Sequence, residues 1–236
     1  MLEIRDVVKR YQGKTAVNHM TLSMEEGQLI ALLGPNGSGK TTLMKMIAGL
    51  VKPTSGEILL EGNPVGAREK RRIAYMPTEA YFYNYMTALD AGKYYRDFFD
   101  DFHFDRFLHM LEEERLNPKD KIRNMSSGMT AKLKLALIFS RDSRVSMLDE
   151  PLNGIDIIAR ERTLHLIEEN HTSDRVLIVS SHLVDELESM IDYAVFMREG
   201  EVVLSGPVPA LREEHGASIV DIYRSIYGES GEKANG

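Results

Sequence analysis

Cysteine is absent from the 236 residues. Disulfides, thiol catalysis and cysteine-ligated zinc are therefore excluded, and reducing cytosol is the default compartment. Long apolar runs are missing as well: no window approaches the roughly eighteen uninterrupted apolar residues of a membrane-spanning helix. The opening Met1-Leu2-Glu3-Ile4-Arg5-Asp6 is broken by charges, so no secretory signal is expected. Basic excess is lacking too. The formal net charge is −7, and the basic run Lys70-Arg71-Arg72 is short and directly follows Glu69. That balance argues against nucleic acid or an anionic lipid surface as the main partner. Internal repeats, the mark of a tandem array, are also absent.

What the chain contains is an ordinary globular mixture, 43% hydrophobic and 28% charged, long enough for one or two domains with a sizeable core. Short strands are read at residues 2–8 and 16–24, with turns at Gln12-Gly13 and Glu26-Gly27. Further apolar runs at 29–33, 57–60, 73–76, 145–148 and 176–179 read as strands, and 193–197 with 201–204 as a hairpin turning at Glu199-Gly200. Between residues 87 and 141 the pattern turns helical: Phe104, Phe107, Leu108 and Leu111 share one helix face, and Leu133, Leu135, Leu137 and Ile138 crowd another. Alternating strand and helix with a helical block inserted predicts an α/β core carrying an all-helical lobe. The expected divisions are a core of 1–77 and 144–215, a helical insert of 78–143, and a C-terminal helix with a frayed tail in 216–236.

One run carries the most chemistry: Gly34-Pro35-Asn36-Gly37-Ser38-Gly39-Lys40-Thr41-Thr42. It lies between the apolar run Leu29-Ile30-Ala31-Leu32-Leu33 and a helical pattern of Leu43, Met46, Ile47 and Leu50, so strand, glycine turn and helix start meet there. Glycines let the loop fold back until successive backbone N–H groups point into one anion-sized hollow. The helix adds the positive end of its dipole. Lys40 supplies a charge for the outer phosphates of a nucleotide triphosphate, and the Thr41 hydroxyl is a natural Mg²⁺ ligand.

A second constellation, Val145-Ser146-Met147-Leu148-Asp149-Glu150, is a buried-strand pattern ending in two carboxylates. Asp149 suits Mg²⁺ through water, and Glu150, expected on the other side of the pleat, suits the activation of a water. Met125-Ser126-Ser127-Gly128-Met129 opens a helix with small residues, either an ordinary N-cap or a second anion site. In this order, and with Ser180-Ser181-His182 after a later strand, the pieces resemble the ATP-binding subunit of ABC transporters, from about residue 2 to residue 211. Pro53-Thr54-Ser55-Gly56-Glu57-Ile58 also matches a stretch typical of that family.

The resemblance implies a P-loop NTPase core with a small antiparallel β subdomain and an inserted helical subdomain. It implies ATP and Mg²⁺ as ligands, with Gly34 to Thr42 as the Walker A loop and 145–149 as the Walker B strand. Glu150 matches the catalytic glutamate, His182 the switch histidine, Asp156 the D-loop aspartate and Tyr11 the aromatic that stacks on adenine. Ser126, Ser127 and Gly128 match the signature that faces a partner's nucleotide across a homodimer or a heterodimer with a related subunit. The implied function is ATP hydrolysis that powers transport, with export as the expected direction, through a separate polytopic permease at the inner face of the cell membrane. A soluble scaffold ATPase and a weakly hydrolysing nucleotide switch are the alternatives. Two departures stand out. The signature is usually Leu-Ser-Gly-Gly-Gln, so Ser127 replaces a glycine and Met129 an amide. Thr78 stands where the family commonly has a glutamine, and as a metal contact it reaches less far; Glu79 compensates only if the loop turns it inward. The remaining histidines, His19 included, sit at no metal-like spacing. Tyr81-Phe82-Tyr83-Asn84-Tyr85 cannot all face inward on any regular element, which predicts at least two exposed aromatics that suit docking of a membrane-subunit helix.

Overall fold

The computed structural model describes residues 1–228. In chain order come β1 (Leu2–Tyr11), β2 (Lys14–Met24), β3 (Leu29–Leu33), α1 (Lys40–Ile47), β4 (Ser55–Leu60), β5 (Asn63–Pro64), α2 (Ala67–Lys70) and β6 (Ile73–Met76). The helical stretch holds α3 (Ala88–Phe98), α4 (Phe104–Glu113), a 3-10 turn (Ile122–Asn124) and α5 (Ser127–Phe139). After it run β7 (Val145–Asp149), α6 (Ile157–Glu169), β8 (Val176–Ser181) and α7 (Val184–Leu187). The chain closes with β9 (Tyr193–Arg198), β10 (Glu201–Pro207), α8 (Val208–His215) and α9 (Ile219–Tyr227). Apart from Gly228, the tail expected to fray lies outside the described residues.

Two sheets result. A small antiparallel sheet has the order β2-β1-β4-β5, and a six-stranded sheet the order β10-β9-β3-β8-β7-β6. Within the larger sheet β6, β7, β8, β3 and β9 are parallel, and β10 joins the edge as the antiparallel arm of the expected hairpin. All five residues of β3 are buried because both faces of that strand are covered. Its odd positions, Leu29, Ala31 and Leu33, pack with the helical block, whereas Ile30 and Leu32 pack with α1 and the small sheet. The pleat thus divides one strand between two hydrophobic cores.

Local signals set several boundaries. Thr87 caps α3: its hydroxyl accepts from the Asp90 N–H at 3.1 Å, and the Asp90 carboxylate accepts from the Thr87 N–H at 3.0 Å. The expected single face of α5 is replaced by burial on all sides from Leu133 to Phe139. The helix passes between the large sheet and its helical neighbours, so no solvent face is left to impose a period. Buried Glu114 joins α4 to its neighbours by accepting from Arg162 of α6 and pairing with Lys132 of α5 at 3.1 Å. The short β5, α2 and α7 carry too few residues for a periodicity to be read.

Candidate functional site

The phosphate loop is fixed at both ends by carbonyl groups that leave no room for a side chain. Gly34 has φ 153°, and a Cβ there would lie 2.3 Å from the Met197 carbonyl oxygen. Gly39, at the N-cap of α1, has φ 107° and would meet the Ala16 oxygen at 2.5 Å. Between them the loop borders a cavity of about 350 Å³, lined by Asn36 to Thr42 together with Tyr11, Lys14, Ala16, Thr78, Glu150 and Asn153. Lys40 is buried; its Nζ donates to the oxygens of Gly34 (2.7 Å) and Pro35 (3.2 Å) and stands 3.4 Å from Glu150 Oε1. Burial lowers its pKa, and the Glu150 charge opposes that shift. The Ser38 hydroxyl and Glu150 Oε1 are buried without a hydrogen-bond partner among the described residues, and both residues line the cavity. A buried ammonium and a buried carboxylate on residues that line one hollow fit a polar ligand there.

Behind the loop, Asp149 is fully buried and collects three hydroxyl donors. Thr41 Oγ1 and Ser180 Oγ donate to Oδ1 at 3.1 and 2.7 Å, and Tyr75 donates to Oδ2 at 3.0 Å. Burial first, then the Asp149 charge, pushes the Tyr75 pKa up, so the phenol stays a donor. Hydrogen bonds to a charged acceptor contribute more than neutral ones. Asp149→Asn puts an N–H₂ where an oxygen accepted, so at least one donor is stranded. We expect a loss of about 2 kcal/mol in urea unfolding. Unchanged stability would show that the three bonds give no net stabilisation.

Glu150 corrects the expected pleat alternation. It lies just past β7 with φ 50°, a left-handed position, so the turn rather than the strand period aims its carboxylate. Its N–H donates to Ser180 Oγ at 3.0 Å, and His182 Nδ1 donates to its Oε2 at 2.8 Å. Lys40, Glu150 and His182 are therefore joined in a row through the Glu150 carboxylate; Lys40 and Glu150 line the cavity and His182 does not.

The other expected site residues divide. Tyr11 ends β1 at the cavity mouth, with Lys9 Nζ 4.9 Å from its ring centre. Thr78 lines the cavity, but its hydroxyl donates to the Asp149 carbonyl at 3.0 Å. Glu79 does not turn inward: it is exposed and accepts from Lys45 at 3.1 Å. Ser126, Ser127 and Gly128 do not line the phosphate-loop cavity. Ser126 caps α5 by accepting from the Met129 N–H at 3.2 Å, and a Cβ on Gly128 would lie 2.8 Å from that of Ala159 on α6. Ser127 borders a neighbouring cavity of about 230 Å³, shared with Thr78, Lys134, Asp149, Glu150 and Asn153. Asp156 caps α6, accepting from the Ala159 N–H at 3.0 Å. Sequence reasoning missed Tyr75 and Lys134, and gave Ser180 and Asn153 no role of their own. Only Ser180 carried a signal, since it lies at a strand end, where parallel sheets place ligands.

Residues 17–153 match the family model described as ABC transporter. The lantibiotic transport ATP-binding protein SrtF of Streptococcus pyogenes is 32% identical over 206 residues, covering 86% of this chain and 90% of that protein. The SkfA peptide export ATP-binding protein SkfE of Bacillus subtilis is 28% identical, covering 91% of this chain and 92% of its own length. Among solved structures, an ATP binding subunit of an ABC transporter matches with a TM-score of 0.86 at 25% identity, over 95% of this chain and 98% of that one. A dimeric bacterial ABC transporter cassette shares the fold with a TM-score of 0.78 at 21% identity, over 88% of this chain and 98% of its own. The chain belongs to the ABC transporter family.

Proposed function

We propose that this chain is the motor subunit of an exporter and that hydrolysis takes place at the row Lys40, Glu150 and His182. The observation that carries this is the convergence of an ammonium, a carboxylate and an imidazole, 3.4 and 2.8 Å apart, beside the phosphate loop. ATP occupies the loop, with Asn36 to Thr42 supplying backbone donors and Tyr11 an adenine platform. Lys40 then leaves the loop carbonyls for the outer phosphates, which frees Glu150 Oε1 to take a proton from water. His182 holds the other carboxylate oxygen and so fixes the direction of the base. Thr41 and Asp149, both hard oxygen donors 3.1 Å apart, suit Mg²⁺, with Thr78 at the rim. Mg²⁺ bound there supplies charge neutralisation at the outer phosphates.

The cavity is open on one side, and Ser126 to Gly128 and Asp156 do not line it. That supports closure by a second copy or a related subunit, whose α5 start brings donors to the γ-phosphate and excludes water. The export direction is supported by the lantibiotic and peptide export roles in the names of SrtF and SkfE. Among the described residues no helix is long and apolar enough to cross a membrane, which fits attachment at the inner face through a permease.

The docking face is aromatic. Tyr83 and Tyr85 are 59% and 69% exposed, with their rings stacked 5.5 Å apart. Tyr83 also lines a cavity of about 110 Å³, together with Tyr81, Met86 and Tyr94. Replacing Tyr83 and Tyr85 together by Ala should leave ATP binding intact and weaken the permease complex at least ~10-fold, as loss of central aromatic anchors does. Co-purification from detergent at undiminished yield would remove this face from the interface.

A further inference from the structure

Lys134 is a buried cation for which the reading above has no use. It stands two turns into α5, is 5% exposed, and sends its Nζ to three successive carbonyl oxygens. The distances are 2.9 Å to Pro77, 3.1 Å to Thr78 and 3.0 Å to Glu79. An ammonium has three donors, so the group is saturated. The Tyr81 ring centre lies 5.5 Å from it. An apolar side chain would fill the space without desolvating a charge, so what needs explaining is the charge, and the three carbonyls explain it.

The bonded turn and the helix both lead to the site. On one side, Thr78 donates to the carbonyl of Asp149, the residue before Glu150. On the other, α5 begins at the Ser126 cap. Lys134 borders the cavity of about 230 Å³ that holds Thr78, Ser127 and Glu150, and does not line the phosphate-loop cavity. Its place is between the two elements that must agree for hydrolysis, and it reaches the phosphate-loop cavity only through the backbone of Thr78.

We propose that Lys134 is a positioning residue for hydrolysis: its ammonium clasps the 77–79 turn to α5, so that the turn beside Glu150 and the serine-tipped helix start move as one body. The proposal rests on the assignment of Glu150 as the base and of Ser126 to Gly128 as the partner-facing element. Loss of the clasp lets the turn and helix start shift independently, which slows turnover and leaves ATP affinity unchanged.

Because the chain has no cysteine, the charge can be removed and restored at one atom. The full-length Lys134→Cys variant is alkylated in denaturant with 2-bromoethylamine or with 1-iodopropane, then refolded. The first restores an ammonium, and the second gives a side chain of the same length without charge. The propylated protein and Lys134→Met should lose about 10- to 100-fold in kcat, the scale of a small misplacement of reacting groups. Their KM for ATP and their binding of a fluorescent ATP analogue should stay within about twofold of the parent. The aminoethylated protein should recover most of the parent kcat. Lys134→Gln, a second variant should the neutral forms fail to fold, keeps two donors on a shorter stem and should turn over at an intermediate rate. The clasp is overturned by full kcat in any neutral form. It is equally overturned by ATP affinity falling in step with kcat, or by an aminoethylated protein no faster than the propylated one. A parent that does not hydrolyse Mg–ATP before any denaturation overturns instead the functional reading on which the clasp rests.

Discussion

Glu150→Gln abolishes turnover while ATP still binds. The amide keeps the size of the carboxylate and still accepts from His182, so the turn at φ 50° and its bond to Ser180 persist. What disappears is basicity, and a positioned general base contributes about 10²- to 10⁴-fold. A loss of at least ~100-fold in kcat follows on that scale. Affinity should hold or rise, because Lys40, 3.4 Å from Glu150, is released from a competing charge. If ATP joins two subunits and only hydrolysis separates them, the variant elutes as a dimer in Mg–ATP and as a monomer without nucleotide. Light scattering during gel filtration reads this directly. A variant that hydrolyses ATP at the parent rate removes Glu150 from the base role. A fully inactive variant that stays monomeric in ATP keeps the base and removes the sandwich.

Gly34→Ala abolishes nucleotide binding, whereas Gly37→Ala is tolerated. Both glycines have positive φ, 153° and 84°, so backbone preference alone does not separate them. Space does. A Cβ on Gly34 would lie 2.3 Å from the Met197 oxygen and 2.9 Å from Ser38 Oγ, whereas one on Gly37 meets nothing within 4 Å. The Met197 carbonyl cannot yield cheaply, because β9 is hydrogen-bonded within the central sheet and Tyr227 donates to that oxygen at 2.9 Å. The loop must move instead, and Lys40 loses its reach to the phosphates. At Gly37 the cost is the left-handed conformation alone, about 1–2 kcal/mol. Titration with a fluorescent ATP analogue should show affinity reduced at least ~100-fold for Gly34→Ala, about 2.7 kcal/mol, and by no more than ~30-fold for Gly37→Ala. Equal losses would mean that backbone preference, and not contact with β9, makes Gly34 indispensable.

The antiparallel hairpin of β1 and β2 extends further than the sequence pattern indicated, from residues 2–8 to Tyr11 and from 16–24 back to Lys14. Those added residues are polar, so alternation did not mark them; ladder pairing down to Tyr11 with Lys14 did. Likewise α5 lost its amphipathic signature through burial on every side, although its Ser126 cap was legible. Thr78 and Glu79 show how a loop position can be found without its side-chain direction. The departure from the family glutamine was visible, but only the fold shows Glu79 taken up by Lys45 and the turn held by Lys134.

Residue order by itself determined the phosphate loop, the strand that ends at Asp149 with Glu150 after it, the helix start at Ser126, and the alternation that makes an α/β core. All of these follow from groups within a few positions of one another, where backbone geometry alone sets the outcome. Tertiary structure alone decided that Tyr75 and Ser180 hold Asp149, that a turn aims Glu150, that Gly34 yields to β9 and that Lys134 binds the 77–79 turn. Those partners stand 31 to 163 residues apart, and sheet register and helix crossing bring them together. No local spacing encodes such distances, because each depends on how every intervening element packs.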